Sequence, residues 1–291
     1  MEKNLVVTKA NSLVEASYRL NISEQRVMAL LVAQIHPDDD DFKPYRFKAS
    51  DLQEMIESAN KDEHNRLKEL ARGLLRKTLQ IRRPNGGWLM TNWLSSAEYF
   101  SGKGEVELCF DPKLKPYLLQ LQERFTSYKL LSIVRLRRRH SVRLYELLKQ
   151  YASLGERGFE LGDLRDILGL VEGEYSTWFE FKRNVLEPAK RELPKKTDIG
   201  FSYTVRKRVR AVAFVDFKIW YVDQEEPGTK KKAALKSGST AKADELRAKA
   251  HQCWNRTNGS CAAKWADHEN PDDACHWCRR FDKQRAEAAN A

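Results

Sequence analysis

Three groups of side chains in this 291-residue chain have types and spacings that could do chemistry. The first is Cys253, Cys261, Cys275 and Cys278, with seven, thirteen and two residues between successive members. The last pair puts two thiolates within reach of one tetrahedral ion, and Trp254, Trp265 and Trp277 offer apolar surface to a module too small to fold on burial alone. The cluster therefore reads as a closed, non-catalytic Zn2+ site. Its first interval is wider than in common zinc fingers, and His268 and His276 compete as ligands. Reduced thiols and a redox pair are the other two readings of the same residues.

The second group is the histidines, at 36, 64, 140, 251, 268 and 276. A DNA-nicking tyrosine enzyme of the rolling-circle kind needs a metal held by paired histidines beside its nucleophile. No His-x-His pair occurs, nor does a glycine-rich phosphate loop, so an enzyme is not expected.

The third group is a cationic helix face. Trp178, Phe181, Val185, Ala189 and Leu193 recur every three or four residues and form one apolar stripe. The opposite face carries Ser176, Glu180, Arg183, Asn184, Glu187 and Arg191, flanked by Lys182 and Lys190, where side chains can meet base edges or phosphates. Pro188 removes a backbone donor and crowds the carbonyl of Asn184, which predicts a kink over Asn184 to Glu187.

The elements that must position this face lie on either side of it. Leu161, Leu164, Ile167 and Leu168 give a shorter helix that stops at Gly169, a residue suited to the left-handed conformation after a helix end. Downstream, Phe201, Tyr203 and Val205 alternate with polar neighbours, Arg206, Lys207 and Arg208 interrupt, and Val212, Phe214, Phe217 and Ile219 resume a strand pattern. Short helix, turn, long basic helix and a ribbon with a basic tip make a helix-turn-helix plus wing over Phe159 to Trp220. The alternative reading of the tip is a solvated strand edge guarded by cations.

Composition agrees with a polyanionic partner. Lysine and arginine number 52 against 41 aspartates and glutamates, and residues 1–222 hold 39 of the former against 30 of the latter. The excess thus lies in the part with folding patterns, where neutralising phosphates would release counterions. No apolar run reaches the roughly 18–20 residues of a membrane span, and MEKNLVVTKANS has no signal-peptide core, so a cytoplasmic protein is expected. The length suits two domains and a tail: 1–122, 123–222, a basic linker at 223–243 and the cysteine module at 244–291.

The first half repeats the plan of the second. NSLVEASYRLNISEQRVMALLVAQIH predicts two helices, the second capped by Ser23; a short helix through Met55 and a longer one through Leu67, Leu70, Leu74 and Leu75 follow. Leu79 to Phe110 has a strand period broken by PNGG and SGKG, and Lys113 to Gln122 reads as a helix. Phe47-x-x-x-Asp51-Leu52 is matched by Phe159-x-x-x-Asp163-Leu164, each at the start of a short helix, and lead helices at Ser23 to Ile35 and Ser141 to Ser153 correspond in position. Arg137, Arg138 and Arg139 form the most basic point of the chain, just before the second lead helix.

At NSLVEASYRLNISEQRVMALLVAQI, RLYELLKQY, FELGDLRDILGL and FKRNVLEPAKREL with the TDI that follows, the chain resembles the initiator proteins of theta-replicating, iteron-bearing plasmids, over about residues 5–220. The resemblance implies an α+β fold of two tandem winged-helix domains related by pseudo-symmetry. It also implies binding to directly repeated origin sites in double-stranded DNA, melting of adjacent DNA, and recruitment of the host initiator and replicative helicase. Monomers would initiate, and homodimers joined through the first domain would repress their own gene. By motif, Arg183 with Ser176, Glu180 and Asn184 would read the major groove, Lys182, Lys190, Lys207 and Arg208 would hold phosphates, and Arg72, Arg76 and Lys77 would serve the first domain. A dedicated tandem winged-helix repressor is the alternative within the binding class.

Overall fold

The computed structural model describes residues 5–56, 63–83 and 86–222, which fall within one compact unit, Met1–Glu225. The linker, the cysteine module and Cys253, Cys261, Cys275 and Cys278 lie outside the described residues. Among the described residues no helix is long and apolar enough to cross a membrane.

The chain opens on β1 (Val6–Ala10), the single turn α1 (Asn11–Val14), the short strand β2 (Ser17–Tyr18) and α2 (Ile22–Val32). Spacing places the α2 cap at Ser23, but Asn21 holds it. The Asn21 side chain accepts from the Glu24 amide at 2.9 Å, and the Glu24 carboxylate accepts from the Asn21 amide at 2.7 Å. This capping box satisfies two amides that Ser23 would leave open.

Next come β3 (Tyr45–Lys48), α3 (Ala49–Ile56), α4 (Glu63–Arg76) and the strands β4 (Thr78–Arg82), β5 (Trp88–Asn92), β6 (Leu94–Phe100) and β7 (Glu105–Phe110). The single ribbon expected over Leu79 to Phe110 is in fact two hairpins in two sheets, ordered β2-β4-β5 and β3-β7-β6. The break falls at Trp93, fully buried with its ring edge-on to Tyr18 at 4.9 Å. The helix expected from Lys113 shrinks to a 3-10 turn (Pro112–Leu114) and α5 (Lys115–Leu118), because the chain turns into left-handed backbone at Gln120 (φ 49°) and Arg124 (φ 52°).

The second half runs β8 (Phe125–Lys129), α6 (Leu130–Arg135), α7 (Arg139–Lys149), β9 (Glu156–Glu160), α8 (Leu161–Ile167), α9 (Trp178–Phe181), a π-helical turn (Lys182–Leu186), α10 (Glu187–Lys196), β10 (Ile199–Arg208) and β11 (Ala211–Tyr221). The repeat is visible in its strand order: β9-β11-β10 reproduces β3-β7-β6. Phe47 faces Val106 as Phe159 faces Val215, and Leu52 and Leu164 are both buried. A lead helix, a strand, two helices and a hairpin thus occur twice, with β4 and β5 inserted in the first copy.

The two copies meet in an antiparallel pair, β1 with β8, where Thr8 lies opposite Ser127 and their hydroxyls are 2.9 Å apart. The Asn11 amide donates to Arg124 O at 2.7 Å, and the Leu130 amide donates to Leu5 O at 2.8 Å, the same bond in each direction. Residues 125–149 therefore follow the pattern of the second copy while pairing with the first.

Two buried arginines extend this exchange. Arg26 is the fifth residue of the eleven in α2, and Arg143 the fifth of the eleven in α7. Arg26 donates to Met55 O in its own short helix (3.2 Å) and across to Leu136 O (2.8 Å). Arg143 donates to Ile167 O in its own short helix (3.2 Å) and across to Val14 O and Ala16 O (2.9 Å each). Arg143 also pairs with Glu146 at 2.8 Å, and the Glu146 carboxylate receives Lys9 Nζ at 2.7 Å, Tyr18 OH at 3.1 Å and Tyr128 OH.

His140, buried with its ring edge-on to Tyr175 at 6.0 Å, gives the fold a pH limit. Burial, and then the charge of Arg139, pushes its pKa from 6.5 to about 4. The unfolded chain takes up a proton over that window that the folded chain refuses, so stability is full above pH 6.5 and falls as the pH drops toward 4. Chemical unfolding at pH 7 and pH 5 is expected to differ by about 2 kcal/mol from this group, and His140→Leu should flatten that difference.

Candidate nucleic-acid interface

The basic helix of the second domain starts at Thr177, whose hydroxyl accepts from the Glu180 amide at 3.2 Å while the Glu180 carboxylate accepts from the Thr177 amide at 3.2 Å. The stripe read from the sequence is the buried one: Phe181, Val185, Ala189 and Leu193 are fully enclosed, with Trp178 at its edge. The disruption expected from Pro188 is present as the π turn. The Glu187 amide reaches back five residues to Lys182 O, which widens the helix ahead of the buried proline ring.

The helix is tied to the wing. Tyr203 on β10 donates to Glu187 Oε1 at 2.6 Å, with burial and that hydrogen bond raising its pKa, and Lys190 Nζ lies 5.6 Å from its ring centre. The wing tip carries Arg206, Lys207, Arg208, Val209 and Arg210, all exposed. Arg206 is held by Asp216 at 2.6 and 3.0 Å, and Arg208 lies 4.0 Å from Glu160.

Ser176, Lys182, Arg183, Lys190, Arg191, Lys207 and Arg208 are therefore brought to the surface of one helix and its wing. Among the described residues, Lys182, Arg183, Lys190, Arg191, Lys207 and Arg210 form no ion pair with a carboxylate. Phosphates are the natural complement of such a set. Two of the expected reading residues serve the helix itself. Glu180 is engaged in the capping box, its pKa lowered by the Thr177 amide, and Asn184 donates its side-chain amide to Glu180 O at 2.9 Å within the distorted turn.

Arg137 and Arg138 are exposed, and the Arg137 amide donates to Glu192 Oε1 at 2.8 Å. Arg139 is turned inward, bonded to Glu174 and, through Nε, to His140 at 3.1 Å, so the three arginines do not form one surface. In the first domain, Arg72 and Arg76 are exposed on α4, where Arg72 meets Glu69 at 2.6 Å. Lys77 is half-buried, 4.0 Å from the Glu24 carboxylate.

Phe179, which the apolar stripe and the cationic face do not include, joins the site. It is 66% exposed, and the Arg183 guanidinium lies 5.6 Å from its ring centre. An aromatic on the polar face of an amphipathic helix was the available signal. Such a ring suits contact with a thymine methyl group.

This geometry fits what comparison with known proteins finds. The family model described as Initiator Replication protein, WH1, matches residues 6–149, and that described as Initiator Rep protein, WH2, matches 160–219. The chain belongs to the initiator replication protein family. An uncharacterized 27.6 kDa protein of Escherichia coli is 28% identical over 218 residues, covering 70% of this chain and 91% of that protein. A replication initiation protein of Escherichia coli is 26% identical over 224 residues, covering 74% of this chain and 69% of the relative. A solved structure of the Pi initiator protein in complex with iteron DNA has the same fold, with a TM-score of 0.61 at 22% identity, covering 77% of this chain and all of that one. The fold and family expected from the sequence are thereby established, with WH1 and WH2 as the two winged-helix domains.

Proposed function

We propose that this member of the family binds directly repeated DNA sites with its two winged helices, opens the neighbouring duplex and so begins plasmid replication. The observation that carries the reading is the run of cations along Lys182 to Arg191, with Lys207 and Arg210 at the wing tip, that form no ion pair among the described residues, on a helix whose apolar stripe is buried. The relative solved with iteron DNA supports the ligand class. In this reading Arg183 and Phe179 meet base edges, Lys182, Lys190, Arg191, Lys207 and Arg210 hold phosphates, and Arg72 and Arg76 serve the first domain's part of the site. Host initiator and helicase would join once strands part, and a homodimer would act on the gene's own promoter.

The discriminating experiment uses supercoiled plasmid carrying the repeats and a probe for single strands. Protein-dependent strand opening beside the repeats is expected. Binding with no opening would instead favour a dedicated repressor. For the tail, we propose structural Zn2+ on Cys253, Cys261, Cys275 and Cys278, supported by their spacing. Metal analysis of the purified full chain should give one zinc per chain, lost on Cys278→Ser; an equal zinc content in both proteins would remove the proposal.

A further inference from the structure

The turn between α8 and α9 packs on the first domain at a distance that only bare backbone permits. Gly169 has φ +65°, and a Cβ added there would lie 2.1 Å from Tyr18 O and 3.2 Å from the Arg19 Cα. Next to it, Glu174 is gripped by two arginines that both lie in the WH1 span, Arg19 following β2 and Arg139 at the start of α7. Three more contacts border the turn. Ser17 Oγ donates to Asp166 O at 2.6 Å, Arg82 Nη1 donates to Asp163 at 2.8 Å, and Arg82 Nη2 lies 3.5 Å from Asp166.

We infer that this turn is a dock that sets the register between the two DNA-reading heads, and that Glu174 is its positioning residue. In a helix-turn-helix the first helix and turn commonly lie across the DNA backbone. Here Gly169, Glu174, Asp163 and Asp166 are committed to the other domain, and three of those four are acidic, which suits a protein contact and repels phosphate. The dock matters to recognition because DNA is a helix. One inserted base pair moves two contact zones apart by roughly 3.4 Å and rotates them by roughly 35°. A rigid dock therefore makes binding depend on spacing, and a loose one tolerates error.

The inference rests on the two-headed reading proposed above, and its test separates the two. A duplex is selected from a random library with the wild-type full chain, its two contact zones are mapped, and one base pair is inserted between them. Wild type should prefer the selected duplex by roughly 30-fold or more, a difference of the size that whole base contacts carry. Glu174→Gln and Arg19→Gln, both at partly exposed side chains, should cut that preference to about fivefold or less, and Gly169→Ala should cut it further. Amide hydrogen exchange over residues 17–20 and 167–175 should quicken by about tenfold in the variants, with β10 and β11 unchanged as the check on folding.

An unchanged spacing preference in both Glu174→Gln and Arg19→Gln overturns the inference. So does a wild type that binds all spacings equally, which would leave single-headed DNA binding standing. If wild type selects no duplex, the functional reading fails instead. The exchange rates then decide the dock, with unaltered exchange in the variants counting against it.

Discussion

Glu146→Ala is expected to destabilise the folded chain by about 3–5 kcal/mol, the usual cost of removing one partner from a buried charge pair. Lys9, Arg143 and Glu146 are 4%, 1% and 2% exposed, so water cannot replace the carboxylate for either cation. Burial alone would raise the Glu146 pKa; Lys9, Arg143 and the Tyr128 hydroxyl outweigh it and bring the pKa down to about 2. Its contribution is therefore present above pH 4.5 and is lost as the pH falls to 2, below the window in which His140 acts. Since whole domains are stable by only about 5–15 kcal/mol, the variant should unfold at much lower urea, with Glu146→Gln between it and wild type. A loss below about 1 kcal/mol would mean that the network does not join the two copies as described.

Arg183→Ala is expected to weaken specific DNA binding by about 1–3 kcal/mol, the discrimination carried by a good bidentate base contact. The residue is exposed, forms no ion pair among the described residues, and lies with its guanidinium 5.6 Å from the Phe179 ring centre, so truncation should leave folding intact. Lys182→Ala, by contrast, should weaken specific and non-specific binding alike and reduce the slope of log affinity against log salt by about one. Titrations of both variants with specific and random duplex at several salt concentrations separate the two outcomes. Equal effects of Arg183→Ala on both duplexes would demote it to a phosphate contact.

What could be read before folding was what depends on neighbours in sequence. The stripe from Trp178 to Leu193, the turn at Gly169 and the duplicated Phe-x-x-x-Asp-Leu motif all express local periodicity or backbone preference. Pro188 announced a disruption, but whether the helix kinks or widens into a π turn is set by packing of the buried ring. Asn21, not Ser23, caps the helix because its box partner, Glu24, lies three residues on.

The remainder was beyond sequence pattern because its partners are far apart. Lys9 meets Glu146 across 137 residues, Tyr18 meets it across 128, and Arg82 meets Asp163 across 81. Nothing in the spacing of Arg137 to Arg139 shows that the third turns inward to Glu174 while the first two stay exposed. Nor does a helical wheel show that Glu180 and Asn184, outward on paper, are held by their own helix.

Two linked winged helices that read repeated DNA should leave a repeated footprint, so nuclease footprinting of the full chain on DNA flanking its own gene is the decisive measurement. Wild type should protect several directly repeated segments, all lost in Arg183→Ala at the same protein concentration. No protected segment, or full protection by the variant, would rule out that mode of binding.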